Sequence, residues 1–275
     1  MKKKKRRIRW NNVFLFLFIL IFLIILIISG INIIKWLKDS NNTNNKIEEI
    51  QENIEVEETI DSENTEIIES EEIDKDSPYW NYIKMNLIDV NFDELNEINN
   101  ETVGWIQVGG TNINYPFVQT NNNEYYLNHS LDKSYNKAGW VFMDYRNNKD
   151  DFDKNTILYA HGRADNTMFG SLKKVIFKNW LNNTNNHIIK LSTGKENTLW
   201  QVFSTYKIPT TNDYIQVSFS SNNEFIEFGN MLLERSVYNF NTTINETDKI
   251  ITLSSCYNDD EKVVLHAKLI KREKK

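Results

Sequence analysis

Ile250-Ile251-Thr252-Leu253-Ser254-Ser255-Cys256 is an apolar, partly β-branched run that ends on the only cysteine of a 275-residue chain. Residues of this kind favour a pleated, half-buried strand, and a strand that ends on a nucleophile places it at a sheet edge. A short polar loop, Tyr257 to Glu261, separates this run from a second one, Val263 to Ile270. The pattern reads as strand, loop, strand, with a thiol at the first strand's exit. A lone cysteine also serves as a small buried hydrophobe, and this stretch alone does not decide between the two readings.

Moving outward, Asn155-Thr156-Ile157-Leu158-Tyr159-Ala160 repeats the pattern and ends on His161. Gly104 to Val108 and Ile113 to Val118 are strand-like and joined by a Gly109-Gly110-Thr111-Asn112 turn. Gly139 to Asp144, Ile188 to Leu191 and Leu199 to Ile208 bring the set to about eight short strands. Helices are expected after Ser77-Pro78, near Asn91 to Leu95 with Asn91 or Asp93 as cap, and over Met168 to Phe177. A longer one is expected over Asn223 to Arg235, where Phe225, Phe228, Met231 and Leu232 approximate one face. Many short strands with few helices predict a mainly β fold, a closed or nearly closed barrel.

The amino end differs in kind. Lys2 to Arg7 is basic, and Val13 to Ile34 is an apolar run flanked by Trp10 and Trp36. Its length suffices to cross a bilayer, and the basic cluster predicts a cytoplasmic tail over 1–12, an anchor over 13–34 and an extracellular remainder. A cleaved signal peptide would have a shorter apolar core and a better cleavage site than Ser29-Gly30-Ile31-Asn32. Residues 35–76 carry acidic side chains at more than every third position from Asp39 on, opposed only by Lys46 and Lys75. That composition predicts a solvated, self-repelling spacer, with a transient helix at Ile47, Ile50 and Ile54. The folded domain is then 77–275.

Composition narrows the function. The net charge is −6, but from Ser77 onward 21 basic side chains face 23 acidic ones, a balance of about −2 that makes no case for nucleic acid. One cysteine excludes an internal disulfide, and no Cys/His spacing suits zinc. No glycine-rich phosphate loop is present, so no cofactor is expected. Two strands ending on Cys256 and His161 supply a thiol and an imidazole, two of the three parts acyl transfer needs; the third is an oxyanion donor. An exposed extracellular thiol is also an oxidation liability that calls for a reason. The other histidines read as structural (His129), a solvated loop residue (His187) and a mid-strand residue (His266).

Leu158-Tyr159-Ala160-His161, Met168-Phe169-Gly170-Ser171-Leu172 and Thr252-Leu253-Ser254-Ser255-Cys256 closely resemble class B sortases. So do Thr111-Asn112-Ile113-Asn114-Tyr115-Pro116, Tyr125-Tyr126-Leu127-Asn128-His129 and Asp144-Tyr145-Arg146-Asn147. The resemblance runs from about Ser77 to the carboxyl end with the motifs in the same order. It implies an eight-stranded sortase-type β-barrel with N-terminal helices and a long helix before the cysteine strand. It also implies a membrane-anchored extracellular cysteine transpeptidase of Gram-positive bacteria. Such an enzyme cleaves a C-terminal sorting signal, Asn-Pro-x-Thr-x-like for class B, after Thr through a thioester. It then passes the secreted protein to an amine of a cell-wall peptidoglycan precursor.

By motif, Cys256 resembles the nucleophile and His161 the general acid/base. Where the family has an arginine at the start of the last strand, Lys262 stands here, after a loop about two residues short. Three readings stay open: Lys262 substitutes, Arg235 or Arg146 reaches in, or the enzyme is slow or degenerate. The family's middle Ser-or-Thr is Ser255. By resemblance Tyr159, Ser254, Leu127, Tyr214 and Ile215 are groove residues, and ordinary barrel packing explains Leu127 and Ile215 equally well. The resemblance implies no metal, since calcium dependence belongs to another sortase class. A hydrolytic peptidase of the same fold and a non-catalytic binding module are the alternatives.

Overall fold

The computed structural model describes residues 9–68 and 73–275. The basic cluster Lys2–Arg7 and part of the expected spacer, 69–72, lie outside them. The chain divides into two compact units, one up to Asn42 and one from Thr43. Helix α1, Trp10–Asn53, passes through both. Its first part is long and apolar enough to cross a membrane, and side chains such as Phe14, Phe18 and Phe22 are exposed along it.

The second unit begins earlier than the composition suggests. Strand β1 (Val56–Thr59) pairs antiparallel with β3 (Leu87–Val90), a strand the sequence reading passes over. Strand β2 (Thr65–Ile67) lies along the end of the last strand of the chain. Ile47, Ile50 and Ile54 are buried in the main core rather than on a transient solvated helix. The expected self-repelling spacer is therefore largely a packed part of this unit from Thr43 on. The physical reason is twofold. Each buried isoleucine contributes about 1.5–3 kcal/mol. The acidic groups also meet cations: Glu58 pairs with Lys190 at 2.9 Å, Glu66 with Arg272 at 2.9 Å, and Asp61 with Lys271.

Two short helices, α2 (Tyr79–Tyr82) and α3 (Asp93–Ile98), stand where helix starts are expected. Asn91 accepts from the Asp93 amide at 3.0 Å at the start of α3. The barrel follows: β4 Thr102–Val108, β5 Asn114–Val118, β6 Phe142–Met143, β7 Asn155–Tyr159, β8 Ile188–Thr193, β9 Glu196–Pro209, β10 Ile250–Cys256 and β11 Glu261–Lys274. The hydrogen-bonded order is β10-β7-β6-β5-β4-β8-β9-β11, and a β10–β11 pairing closes the ring. Closure leaves these eight strands without a free edge. Trp105, Phe117, Phe169, Leu191, Trp200 and Leu253 fill the interior, all essentially inaccessible to water.

Between β7 and β8 the expected helix is a 3-10 turn, Gly170–Ile176, followed by α4, Lys178–Leu181. Asn166 and Met168 at φ 63° and 52° set a tight entry. Helix α5, Asn222–Arg235, is capped by Ser221, which accepts from the Glu224 amide at 3.2 Å.

Two histidines lie in the core. His187, expected in a solvated loop, is buried beside Trp180, Tyr238 and Phe240, with Nε2 2.9 Å from the Leu181 carbonyl. The surrounding asparagines disguise this in the sequence. His266 is fully buried. Its Nδ1 lies 2.8 Å from the Thr252 hydroxyl, which itself donates to Asn155 Oδ1, and its Nε2 lies 2.9 Å from the Tyr206 hydroxyl. A neutral imidazole donating at Nδ1 and accepting at Nε2 satisfies every group in this chain.

Burial, with the Arg235 charge added, pushes the His266 pKa from 6.5 down to about 3. The unfolded chain then takes up a proton below pH 6.5 that the folded chain refuses, so stability falls as pH falls from 6.5 toward 3. Lowering the pH from 7 to 5 should cost about 1–2 kcal/mol in urea unfolding, in a window above the ordinary carboxylate range. His187, also lowered by burial, acts in the same direction. A flat profile over that window would show that His266 charges in the folded state.

Candidate active site

Strands β7 and β10 run parallel, with Ile250 beside Asn155 and Ser254 beside Tyr159. Carrying this register past the strand ends brings Cys256 and His161 to one rim of the barrel. Two contacts beyond the last ladder pair bear this out. The Ser255 hydroxyl donates to the Ala160 carbonyl at 2.9 Å. Gly162 lies so close to Cys256 that a Cβ there would fall well inside contact distance of the Cys256 carbonyl oxygen. Two strand exits far apart in sequence are thus held backbone to backbone, and the sulfur is exposed.

The imidazole is oriented by backbone. His161 Nε2 lies 2.7 Å from the Leu127 carbonyl, an acceptor only, so Nε2 carries its hydrogen and Nδ1 is left for a second partner. The sequence reading offers Leu127 as a groove residue. In the structure its side chain is exposed and its carbonyl holds the ring.

The cation is set by the hairpin register. Cys256 pairs directly with Lys262 across β10–β11, so both side chains leave the same face. Lys262 Nζ lies 3.0 Å from Cys256 Sγ. The two candidate arginines are committed elsewhere. Arg235 holds the Asp213 carboxylate, at 2.5 Å from one of its nitrogens. Arg146 holds Asp144 at 2.7 and 2.9 Å and also donates to the Ile215 carbonyl at 3.0 Å. Among the described residues, Lys262 is thus the cation at the sulfur.

The remaining groove candidates fall into one connected wall. Tyr214 is buried, and its hydroxyl shares a 2.9 Å hydrogen bond with the Ser254 hydroxyl. Burial raises the Tyr214 pKa, against the opposing pull of that bond. Ile215 is half-buried and held through its carbonyl by Arg146. Asn155 donates to the Gln216 carbonyl at 2.9 Å. The loop before α5 is therefore tied at three successive residues, to β10, to the turn between β6 and β7, and to β7. Tyr159, half-buried, donates to Asp144 at 2.9 Å. Burial and the Asp144 charge raise its pKa, so the phenol stays protonated.

Asp144 is the residue the sequence reading quotes without a task. It is fully buried, which opposes ionisation, yet hydrogen bonds from Arg146 and Tyr159 hold its carboxyl below the usual range. Asn123 and the Arg146 amide donate to it as well. It links the Tyr159 end of β7 to the loop carrying Ile215. A carboxylate and an arginine two apart in a turn are a common surface feature, so nothing local in the sequence marks Asp144 as buried while Arg146 stays exposed.

A nucleophilic sulfur, an oriented imidazole and a fixed cation at one open rim are the parts of thiol-based acyl transfer. Comparisons with known proteins agree. The family described as Sortase domain matches residues 106–270, from β4 to β11. Sortase B of Staphylococcus aureus (strain NCTC 8325 / PS 47) is 35% identical over 184 residues, 66% of this chain and 75% of that protein. Sortase B of Listeria monocytogenes serovar 1/2a (strain ATCC BAA-679 / EGD-e) is 33% identical over 181 residues, 64% and 73% of the two chains. A crystal structure of sortase B complexed with triglycine superposes with a TM-score of 0.62 at 34% identity, covering 66% of this chain and 85% of that one. On fold, site and descent together, the chain belongs to the sortase family and, within it, to the class B cysteine transpeptidases.

Proposed function

We propose that this transpeptidase is anchored in the cell membrane by the apolar part of α1, over 13–34, with a cytoplasmic tail over 1–12 and its catalytic domain outside. It cleaves an Asn-Pro-x-Thr-x-like sorting signal at the carboxyl end of a secreted protein, after Thr, and joins that protein to a cell-wall amine. One observation carries this reading: the parallel β7–β10 pairing sets Cys256 and His161 on one rim, with Lys262 Nζ 3.0 Å from the exposed sulfur.

In this mechanism Cys256 attacks the threonine carbonyl as a thiolate. His161, held at Nε2 by Leu127, protonates the leaving amine from Nδ1 and later takes a proton from the incoming amine. Lys262 supplies positive charge to the sulfur and to the developing oxyanion, without the two-pronged geometry of a guanidinium. Tyr159, Ser254, Tyr214, Ile215 and Leu127 line the groove that holds the signal. The acceptor is an unhindered primary amine of peptidoglycan type, consistent with a related sortase B having been crystallised with triglycine.

The test is product partition. With an Asn-Pro-x-Thr-x peptide as donor, added triglycine should divert the acyl group from water to a joined product in proportion to its concentration. Hydrolysis that saturating triglycine leaves unchanged would instead make the chain a hydrolytic peptidase of the same fold.

A further inference from the structure

A lysine in contact with the reacting sulfur differs from an arginine in more than geometry. Guanidinium has no nucleophilic lone pair near neutral pH, whereas the amine form of lysine is a strong acyl acceptor. Lys262 and Cys256 are directly opposed across β10–β11, and the hairpin loop between their strands is only Tyr257 to Asp260. The nitrogen therefore cannot drift far from the sulfur. At 3.0 Å from Sγ, Nζ is also within reach of a carbonyl carbon one bond beyond that sulfur. Among the described residues no carboxylate forms an ion pair with Lys262. The adjacent carboxylate, Glu261, is paired with Lys207 instead.

Given the Cys256 thioester of the function proposed above, on which this step rests, we propose that Lys262 is an internal acyl acceptor. When no external amine arrives, the acyl group moves from Cys256 to Lys262. The lone pair of the neutral amine attacks the thioester carbonyl, and a C–N bond forms. The C–S bond breaks with its electron pair staying on sulfur. The proton lost by nitrogen is taken up by the thiolate or by His161. The products are an amide on Lys262 and a free Cys256 thiol, and no oxidant or further reactant is needed.

Proximity drives the step. Well-oriented intramolecular partners reach effective molarities of about 10⁵ M or more, which offsets the small neutral fraction of a lysine amine. Hydrolysis and external amines compete with it, so internal transfer is the branch that grows as acceptor runs out. Acylation also neutralises the one cation at the sulfur among the described residues. An enzyme starved of acceptor would thus switch itself off rather than release its substrate to water.

The experiment uses the full chain in detergent, an Asn-Pro-x-Thr-x peptide and no added amine, followed by intact mass and peptide mapping with and without hydroxylamine. Hydroxylamine cleaves a thioester and spares an amide. The expected result is an early labile adduct on Cys256 that converts to a resistant adduct mapped to Lys262. Triglycine should suppress the resistant species. Lys262→Arg should lower it at least about tenfold relative to the labile adduct formed. A labile adduct that only decays to free enzyme would overturn internal transfer and leave the thioester reading intact. No adduct on Cys256 at all would remove both.

Discussion

Cys256→Ala is expected to abolish joining of a sorting peptide to an amine, by about 10⁴-fold or more, and to leave the fold unchanged. The two halves of this expectation rest on different facts. The sulfur is exposed at the last residue of β10, and its one described side-chain hydrogen bond comes from Lys262. Truncation therefore opens no cavity, and thermal stability should stay within about 0.5 kcal/mol of the parent. Activity depends on the sulfur outright, because a covalent intermediate needs its nucleophile and the groups of such a unit fail together.

His161→Ala should cost about 10³-fold or more by the same logic. It should also free the Leu127 carbonyl to water at little structural cost, since both ends of that bond are at the surface. Joining measured by mass spectrometry against a peptide and triglycine decides the matter, with melting curves run beside it. A Cys256→Ala protein that still joined the two would transfer the chemistry to some other group.

The second large effect lies one residue past the imidazole. Gly162→Ala should lower kcat/KM about 100-fold although Gly162 carries no side chain for the chemistry. The added methyl would meet the Cys256 carbonyl oxygen, a backbone atom of a residue held in the ladder with β11. Something has to shift, and what shifts is the spacing of the two exits that carry sulfur and imidazole. A displacement of about 1 Å between reacting groups costs on the order of 10² in rate. Gly194→Ala is the control, because a methyl there meets nothing within 4 Å. If the Gly162 variant kept parental kinetics, the close approach of the β7 and β10 exits would be wrong.

Most of the barrel strands are legible in the sequence because their short runs are apolar and β-branched and are bounded by turns. Cys256 and His161 stand out as chemistry-bearing residues at two strand ends. That they meet is not legible from spacing, since the pairing is parallel and long-range. Only the resemblance of several ordered motifs brings them together in advance of the fold. Lys262 is one of three candidate cations in the sequence, and the direct Cys256–Lys262 register selects it over Arg146 and Arg235.

Composition misleads in the segment after the apolar part of α1. Glutamates outnumber Ile47, Ile50 and Ile54 there, yet those three isoleucines sit at helical spacing and decide the outcome by burial. Strands β1 to β3 escape the sequence reading for a related reason. They are short and partly charged, and they are strands because they find partners rather than because their residues insist on it. His187 and Asp144 show the general limit: a polar residue's burial is set by what folds over it, which its neighbours in sequence do not record.

Strand β10 takes the imidazole-bearing exit of β7 on one side and Lys262 of β11 on the other, and the β10–β11 pairing is also the seam of the ring. A folding chain therefore holds a cysteine before it holds an enzyme. Its thiol gains the imidazole from one neighbouring strand and the cation from the other, so chemical competence is a product of folding rather than a property the chain carries on the way.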